Sequence, residues 1–288
     1  MAAVRMVNTA YGGGAAVGSA RMKTTVSYPV RDILGVPIAA TTLEGALDLI
    51  DETIATNGQV QIGVVNAAKV VNMRRDAVLR DDVLSSDVIF ADGISVVWAG
   101  RLLGRPLPER VAGIDLMNGM LERGRHRGYR VFCLGATDEV LERTVAQIAI
   151  DYPGVQVVGY QNGYFSSADE PAVAAAIAAS KANILFVAMT SPKKENFLGK
   201  WGKDLGVNVC HGVGGSFDVM AGKVRRAPAM WQRLGLEWLY RVKQEPGRLW
   251  RRYLVTNTLF IMAVAREMLS PTALEKTDVV RHSGAPRR

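Results

Sequence analysis

Over most of this chain, short apolar runs rich in β-branched residues alternate with stretches whose apolar positions recur every three or four residues. Val60-Gln61-Ile62-Gly63-Val64-Val65 is one such run, stopping at Asn66, and helical spacing follows from Ala68 to Leu79. Val88-Ile89-Phe90 stops at Asp92-Gly93, with Ile94, Val97, Trp98, Arg101 and Leu102 at helical spacing directly behind it. A short apolar run feeding a helix through Asp-Gly is half of a βαβ unit. The rhythm continues with a helix over 114–123 before a strand over 129–134 that ends at Gly135. A helix over 139–150 precedes a strand over 155–158, and a helix over 170–180 precedes 184–189, which runs into Thr190 to Glu195. A last helix over 196–205 precedes a strand over 207–210 that opens into Gly212 to Asp218. Ahead of all this, Val30 to Ile38, broken by Gly35 and Pro37, predicts a short hairpin or edge element. Thr41-Thr42-Leu43-Glu44 predicts the start of a helix that reaches Ile54.

Such alternation predicts an α/β fold with a doubly wound, mostly parallel sheet. The carboxyl ends of parallel strands share one edge, and ligands bind in the crevice beyond it. That edge would collect Asn66, Asp92, Arg110, Lys193, Lys194, Glu195 and Asp218. Taken singly these residues are unremarkable, because an Asp at a helix start commonly serves only as a cap and Arg110 could be a solvated loop residue. Their convergence is what recommends them as a carboxylate and cation set for acid–base chemistry and phosphate binding.

The rhythm breaks at Lys223. From there to Arg252 the basic residues are Lys223, Arg225, Arg226, Arg233, Arg241, Lys243, Arg248, Arg251 and Arg252, against Glu237 and Glu245 alone. Trp231, Leu234, Trp238 and Val242 recur at helical spacing, and Trp250, Tyr253 and Leu254 form a second apolar group after Pro246. Aromatic and Arg side chains on amphipathic helices suit a bilayer headgroup region, where each basic residue contributes about 1 kcal/mol at an anionic leaflet. Packing of these helices on the sheet is the plainer alternative. The expected organisation is therefore a Gly/Ala/Ser-rich flexible extension over residues 1–27, an α/β domain over 28–222, a basic amphipathic appendage over 223–270 and a flexible tail over 271–288. No run approaches the roughly 18 apolar residues of a spanning helix, and the extension lacks the apolar core of a signal peptide. The chain reads as soluble or peripheral.

Composition adds limits. With 288 residues, 49% of them hydrophobic, a sizeable core is available, and the net charge of +8 speaks to anionic partners rather than to fold. Nucleic acid is not favoured, for want of a groove-entering motif. Cys133 and Cys210 lie in apolar strand-like runs and read as reduced, buried thiols. His126, His211 and His282 have no metal-ligand spacing, so a metal site is not expected. Neither a GxGxxG fingerprint nor a P-loop occurs, which disfavours a nicotinamide-dependent oxidoreductase. The segment Gly212 to Asp218 is still Gly-rich enough, at Gly214 among others, for backbone N–H groups to approach a phosphate, with Asp218 placed to accept from ribose hydroxyls. Tyr164 and Phe165 predict either an aromatic platform for a base or a loop anchor in the core. No Asp-x-Asp pair is present to bridge a metal to a diphosphate, so Arg110, Lys193 and Lys194 are the candidates to offset a leaving diphosphate.

Together, ADGISVVW, PERVAGIDL, VFCLGA, the YPG of Tyr152 to Gly154, NGYF, SPKKE, GVGGSFDVMAGKVRRAP and LGLEWLYRVKQEPGRLWRRY resemble the WecG/TagA/CpsF family of bacterial glycosyltransferases, over roughly Val30 to Tyr253. The resemblance implies a Rossmann-like α/β domain with a helical C-terminal appendage that docks on the inner, cytoplasmic face of the membrane. It implies inverting transfer of a sugar from a UDP-sugar to a polyprenyl-diphosphate-linked saccharide, in surface or exopolysaccharide synthesis, with no metal or other cofactor. By the same matching, Asp92 is implied as general base, Arg110 as the diphosphate-side arginine and Asn66 as the pocket asparagine. Tyr164 and Asp218 would be nucleotide contacts. Val64 stands where the family has a threonine, and Lys194 where it has a glutamine; the added cation would suit a uronic-acid sugar or a different diphosphate pose. The appendage residues Arg225, Arg226, Arg241, Arg248, Arg251 and Arg252 would hold the lipid diphosphate. A non-catalytic, membrane-associated nucleotide-sugar-binding subunit of a polysaccharide assembly is the alternative, and self-association into a homo-oligomer stays open.

Overall fold

β-branched residues keep to strands and the 3.6-residue pattern to helices, so most elements form where the hydrophobic pattern puts them. The computed structural model describes residues 5–6 and 28–270; the flexibility expected for the rest of 1–27 and for 271–288 lies outside the described residues. After β1 (Arg5–Met6) comes the expected hairpin, β2 (Val30–Ile33) and β3 (Val36–Ala39), paired antiparallel across Leu34-Gly35. The helix α1 (Leu43–Ala55) starts where Thr42 accepts a hydrogen bond from the Gly45 N–H. Then follow β4 (Val60–Val65), α2 (Ala67–Met73), α3 (Ala77–Leu84), β5 (Val88–Ala91), α4 (Ile94–Leu102), α5 (Gly113–Arg127) and β6 (Arg130–Gly135). The second half runs α6 (Asp138–Asp151), β7 (Gln156–Gln161), α7 (Glu170–Ser180), β8 (Ile184–Ala188), α8 (Lys193–Trp201), β9 (Val209–Gly212) and α9 (Ser216–Met220). The C-terminal segment forms α10 (Ala229–Arg233), α11 (Glu237–Gln244) and α12 (Pro246–Met268).

Three differences from the sequence reading bear on the site. The single helix expected over Ala68 to Leu79 is two, because the Asp76 carboxylate captures the Leu79 N–H and caps a fresh start. α8 begins at Lys193, so Lys193, Lys194 and Glu195 ride on its first turn rather than in a loop. β7 continues to Gln161, so the loop carrying Tyr164 starts later than Val158.

The main sheet has the order β1-β7-β6-β8-β9-β4-β5. All its neighbours pair parallel except β1, which lies antiparallel on the β7 edge. The chain leaves β4 for β5 at one edge and β6 for β7 at the other, so the winding reverses between them. The result is the expected Rossmann-like, doubly wound sheet. One face is buried by α1, α5 and α6 through Leu47, Ile50, Leu116, Met117 and Leu141, with Phe217 of α9. The other is buried by α7 and α8 around Phe197, and by α2, α3, α4 and the hairpin. Both thiols are free and buried, and burial pushes Cys133 and Cys210 up to about 12.

The far half of α12 joins this core: Phe260, Ala263 and Val264 are buried in the cluster that includes α2. Buried Arg105 ties its end down, donating to the Glu267 carboxylate at 2.5 Å and to the Asp32 carbonyl at 2.8 Å. By contrast, α10 and α11 have no buried residue, and Met230, Leu234, Trp238, Trp250 and Leu254 stand exposed. Among the described residues, no helix is long and apolar enough to cross a membrane.

Candidate active site

Because β4 and β5 run in parallel register with Val65 opposite Ala91, the residues that follow them, Asn66 and Asp92, emerge side by side. The Asp92 N–H donates to the Val65 carbonyl at 2.9 Å, and the Asn66 amide lies 3.5 Å from Asp92 Oδ2. Asp92 Oδ1 accepts from the Gly113 N–H at 2.8 Å. Asp92 therefore sits at the start of α5, not of the α4 that follows it in sequence; α4 has Gly93 at its N-cap and α5 lacks a side-chain cap of its own. Asp92 remains partly accessible. A carboxylate at a helix N-terminus is favoured by the helix dipole, and with Oδ1 on Gly113, Oδ2 faces the Asn66 amide.

On the other side of Gly113, its carbonyl lies 3.0 Å from Nε2 of His211, a fully buried residue of β9. Burial holds the His211 ring down to about 4, so it is neutral and donates to Gly113. One residue therefore has its N–H on Asp92 and its C=O on His211, which fixes the height of α5 above the sheet.

A buried ionic cluster lies beside them. Lys69 of α2 donates to Glu195 Oε1 at 2.9 Å, and Lys194 Nζ lies 3.4 Å from the same oxygen. Burial works against the Glu195 charge, but the two lysines outweigh it and hold the carboxyl at about 2. Burial, reinforced by the Lys69 charge, brings Lys194 down to about 8 against the pull of Glu195 and Asp92. Room for Lys194 comes from Gly212 at the end of β9: a Cβ there would stand 2.6 Å from the lysine Cδ.

The third group joins the rim to the C-terminal segment. Arg110 donates to Asp115 of α5 at 3.3 Å and to Glu237 of α11 at 2.8 Å. Arg226 pairs with the other Asp115 oxygen at 2.7 Å and lies within electrostatic reach of Glu237 and Asp92. Its Nε and Nη2 are buried without a partner. Arg241 stands 3.6 Å from Glu237. The helices after Lys223 thus reach the crevice through charge pairs.

Asn66, Asp92, Arg110, Lys194 and Glu195 are brought together, as the sheet edge implied, and Arg226, expected on the appendage, joins them through Asp115. Lys193 instead turns to the β7–α7 loop, donating to the carbonyls of Gly163 and Phe165. In that loop the two aromatic readings separate: Phe165 is buried against Phe197, while Tyr164 is 75% exposed. Gly214 takes φ +53 with open space where a side chain would stand, and Asp218 lies 3.7 Å from Lys223. Arg225 is exposed, its backbone N–H bonded to Gln244. Arg251 and Arg252 are exposed beside the Trp250 and Tyr253 rings. The Arg248 side chain lies outside the described residues. Sequence reasoning missed Lys69, Asp115, His211 and Glu237 as site residues. Only Glu237 carried a signal, as an acid isolated among bases.

Among the described residues, no group of three His, Cys, Asp or Glu side chains could hold a metal ion. A family model described as "Glycosyl transferase WecG/TagA/CpsF family" matches residues 31–273. A Bacillus spizizenii protein, N-acetylglucosaminyldiphosphoundecaprenol N-acetyl-beta-D-mannosaminyltransferase, is 42% identical over 183 residues, which cover 64% of this chain and 68% of that protein.

Proposed function

Since this chain belongs to the WecG/TagA/CpsF family of glycosyltransferases, we propose that it moves a sugar from a UDP-sugar to a polyprenyl-diphosphate-linked saccharide, with inversion and without a metal. The observation that carries this reading is the Asp92 carboxylate, fixed through Oδ1 by the Gly113 N–H and touched at Oδ2 only by the Asn66 amide at 3.5 Å, with Arg110 and Arg226 gathered on Asp115 two residues along α5 from Gly113. The acceptor hydroxyl attacks the anomeric carbon as the bond to UDP breaks on the opposite face. Asp92 Oδ2 takes the hydroxyl proton, a role that typically contributes about 10²- to 10⁴-fold. Arg110 and Arg226 offset the charge that develops on the departing diphosphate. Two cationic groups in a partly desolvated crevice can do for a diphosphate what a metal does elsewhere.

The relative's name identifies an N-acetylmannosaminyl group and an acceptor of N-acetylglucosamine on undecaprenyl diphosphate. An acceptor of the same chemical kind is our reading for this chain. The donor sugar is a separate matter, because Lys194 places a buried ammonium beside Asp92 and Val64 adds no hydroxyl. That arrangement favours a donor sugar with an anionic substituent, such as a uronic acid. The exposed Trp238, Trp250 and Leu254, interleaved with Arg251 and Arg252, support peripheral seating on the inner face of an anionic membrane.

The test is UDP release from a panel of UDP-sugars, with and without a short-chain polyprenyl-diphosphate saccharide. Release that needs the acceptor is expected, and Asp92→Asn should keep UDP binding while losing most turnover. Full turnover in that variant would remove Asp92 from the chemistry. Binding of UDP-sugar with no release under any acceptor would favour a non-catalytic subunit.

A further inference from the structure

The two cations on the rim are unequally satisfied. Arg110 has both its terminal nitrogens occupied, Nη2 by Asp115 and Nη1 by Glu237, at a contact where the two side chains are only 16% and 20% exposed. Arg226 has Nη1 on Asp115, while Nε and Nη2 are buried and unpaired. Nε and one terminal nitrogen form the straight edge of a guanidinium, whose two parallel N–H groups match two oxygens of a phosphate or carboxylate. A buried donor edge with nothing on it is costly, and the paired oxygens of an oxyanion would satisfy both of its N–H groups. Directly across Asp115, the place an oxyanion would take on Arg110 is filled by a carboxylate from α11.

We infer that Glu237 stands in for the donor's diphosphate: the incoming nucleotide binds along the Arg226 Nε–Nη2 edge and displaces the Glu237 carboxylate from Arg110, releasing α11 as it does so. This rests on the reading that Arg110 faces the donor diphosphate. The charges favour the exchange, because a diphosphate brings more negative charge to the two guanidinium groups than the single carboxylate it replaces. Once displaced, Glu237 retains Arg241, one helical turn away at 3.6 Å, as an alternative partner. The segment it would free is held loosely, since α10 and α11 bury no residue, whereas α12 is anchored by Phe260, Val264 and the Arg105–Glu267 pair. Donor binding is thereby coupled to the position of the helices that carry the exposed tryptophans. A site without donor keeps those helices clasped over it.

Isothermal titration of the full-length protein with UDP tests this, alongside hydrogen exchange over residues 229–244. Glu237→Gln should bind UDP about two- to fivefold more tightly, the equilibrium equivalent of one partly exposed ion pair no longer to be broken. In that variant α11 should exchange faster without ligand, as the unaltered protein should when UDP is added. Arg226→Lys keeps a cation for Asp115 but has no two-pronged edge, and should weaken UDP binding by roughly tenfold or more. Unchanged or weaker UDP binding in Glu237→Gln, or unchanged binding in Arg226→Lys, would overturn the inference. If Arg110→Gln also binds UDP as before, it is the diphosphate reading of Arg110 that has failed. If Arg110→Gln loses affinity while Glu237→Gln gains none, only the displacement is wrong.

Discussion

Replacing Glu195 by Gln is the sharpest test of the ionic cluster beside the site, because it alters charge with little change of shape. In the native protein one carboxylate oxygen serves two ammonium groups, at 2.9 Å from Lys69 and 3.4 Å from Lys194, and all three side chains are at most 12% exposed. Removing one partner from a buried ionic set leaves the others uncompensated, at a cost of about 3–5 kcal/mol. A lysine without its counter-charge can escape by giving up its proton, and Lys194 already stands at about 8. That escape caps the loss, so the lower end, about 3 kcal/mol at pH 7, is expected. The sign of the pH dependence follows. With Glu195 gone, folded Lys194 holds fewer protons than the unfolded side chain over a wider range below its ordinary value. Stability of the variant then rises with pH more steeply than that of the native protein, and the gap narrows between pH 7 and pH 9. Urea unfolding followed by circular dichroism at both pH values measures this. A loss under about 1 kcal/mol at pH 7, or a gap that does not narrow by pH 9, would show that water screens the cluster and that the buried-ion reasoning fails.

Two further outcomes follow from groups around the same crevice. His211 is held at about 4 in the fold against about 6.5 when unfolded, so the stability it contributes is complete above pH 6.5 and is lost as the pH falls toward 4, by up to about 3 kcal/mol. His211→Gln keeps a donor for the Gly113 carbonyl and should flatten the stability profile between pH 6.5 and 5; an unchanged slope would acquit His211. Tyr164, at 75% exposed, has little to lose from truncation. Tyr164→Ala should leave the unfolding free energy within about 0.5 kcal/mol and weaken UDP binding by about 1–3 kcal/mol, as for a base losing an aromatic platform. Unaltered affinity by calorimetry would remove Tyr164 from the nucleotide contacts.

Much of the site was legible because strand ends are legible. Asn66 and Asp92 each end an apolar run, and in a parallel sheet two such ends lie on the same edge whatever the strand order; that they are immediate neighbours came from the pairing of β4 with β5. Arg110 was visible as a cation in a Gly/Pro-rich loop, and the lone acids among the bases after Lys223 were visible as exceptions. Where Asp92 would bond was not visible: the neighbouring sequence offers α4, and the carboxylate instead takes the Gly113 N–H of α5. The loop aromatics looked equivalent in sequence, yet Phe165 entered the core and Tyr164 did not.

Sequence alone determined the alternation of strand and helix, the parallel sense of the sheet, the polar edge and the change of character at Lys223, because these depend on periodicity and composition over ten to twenty neighbouring positions. Tertiary structure alone decided the strand order and the choice of partners: Lys69 with Glu195 across 126 positions, and Arg110 with Glu237 across 127. Local pattern says whether a charged side chain can be buried; only the packed molecule says which opposite charge arrives to make burial tolerable. That is why Asp92 at its strand end was readable in the sequence, and the Arg110–Glu237 pair was not.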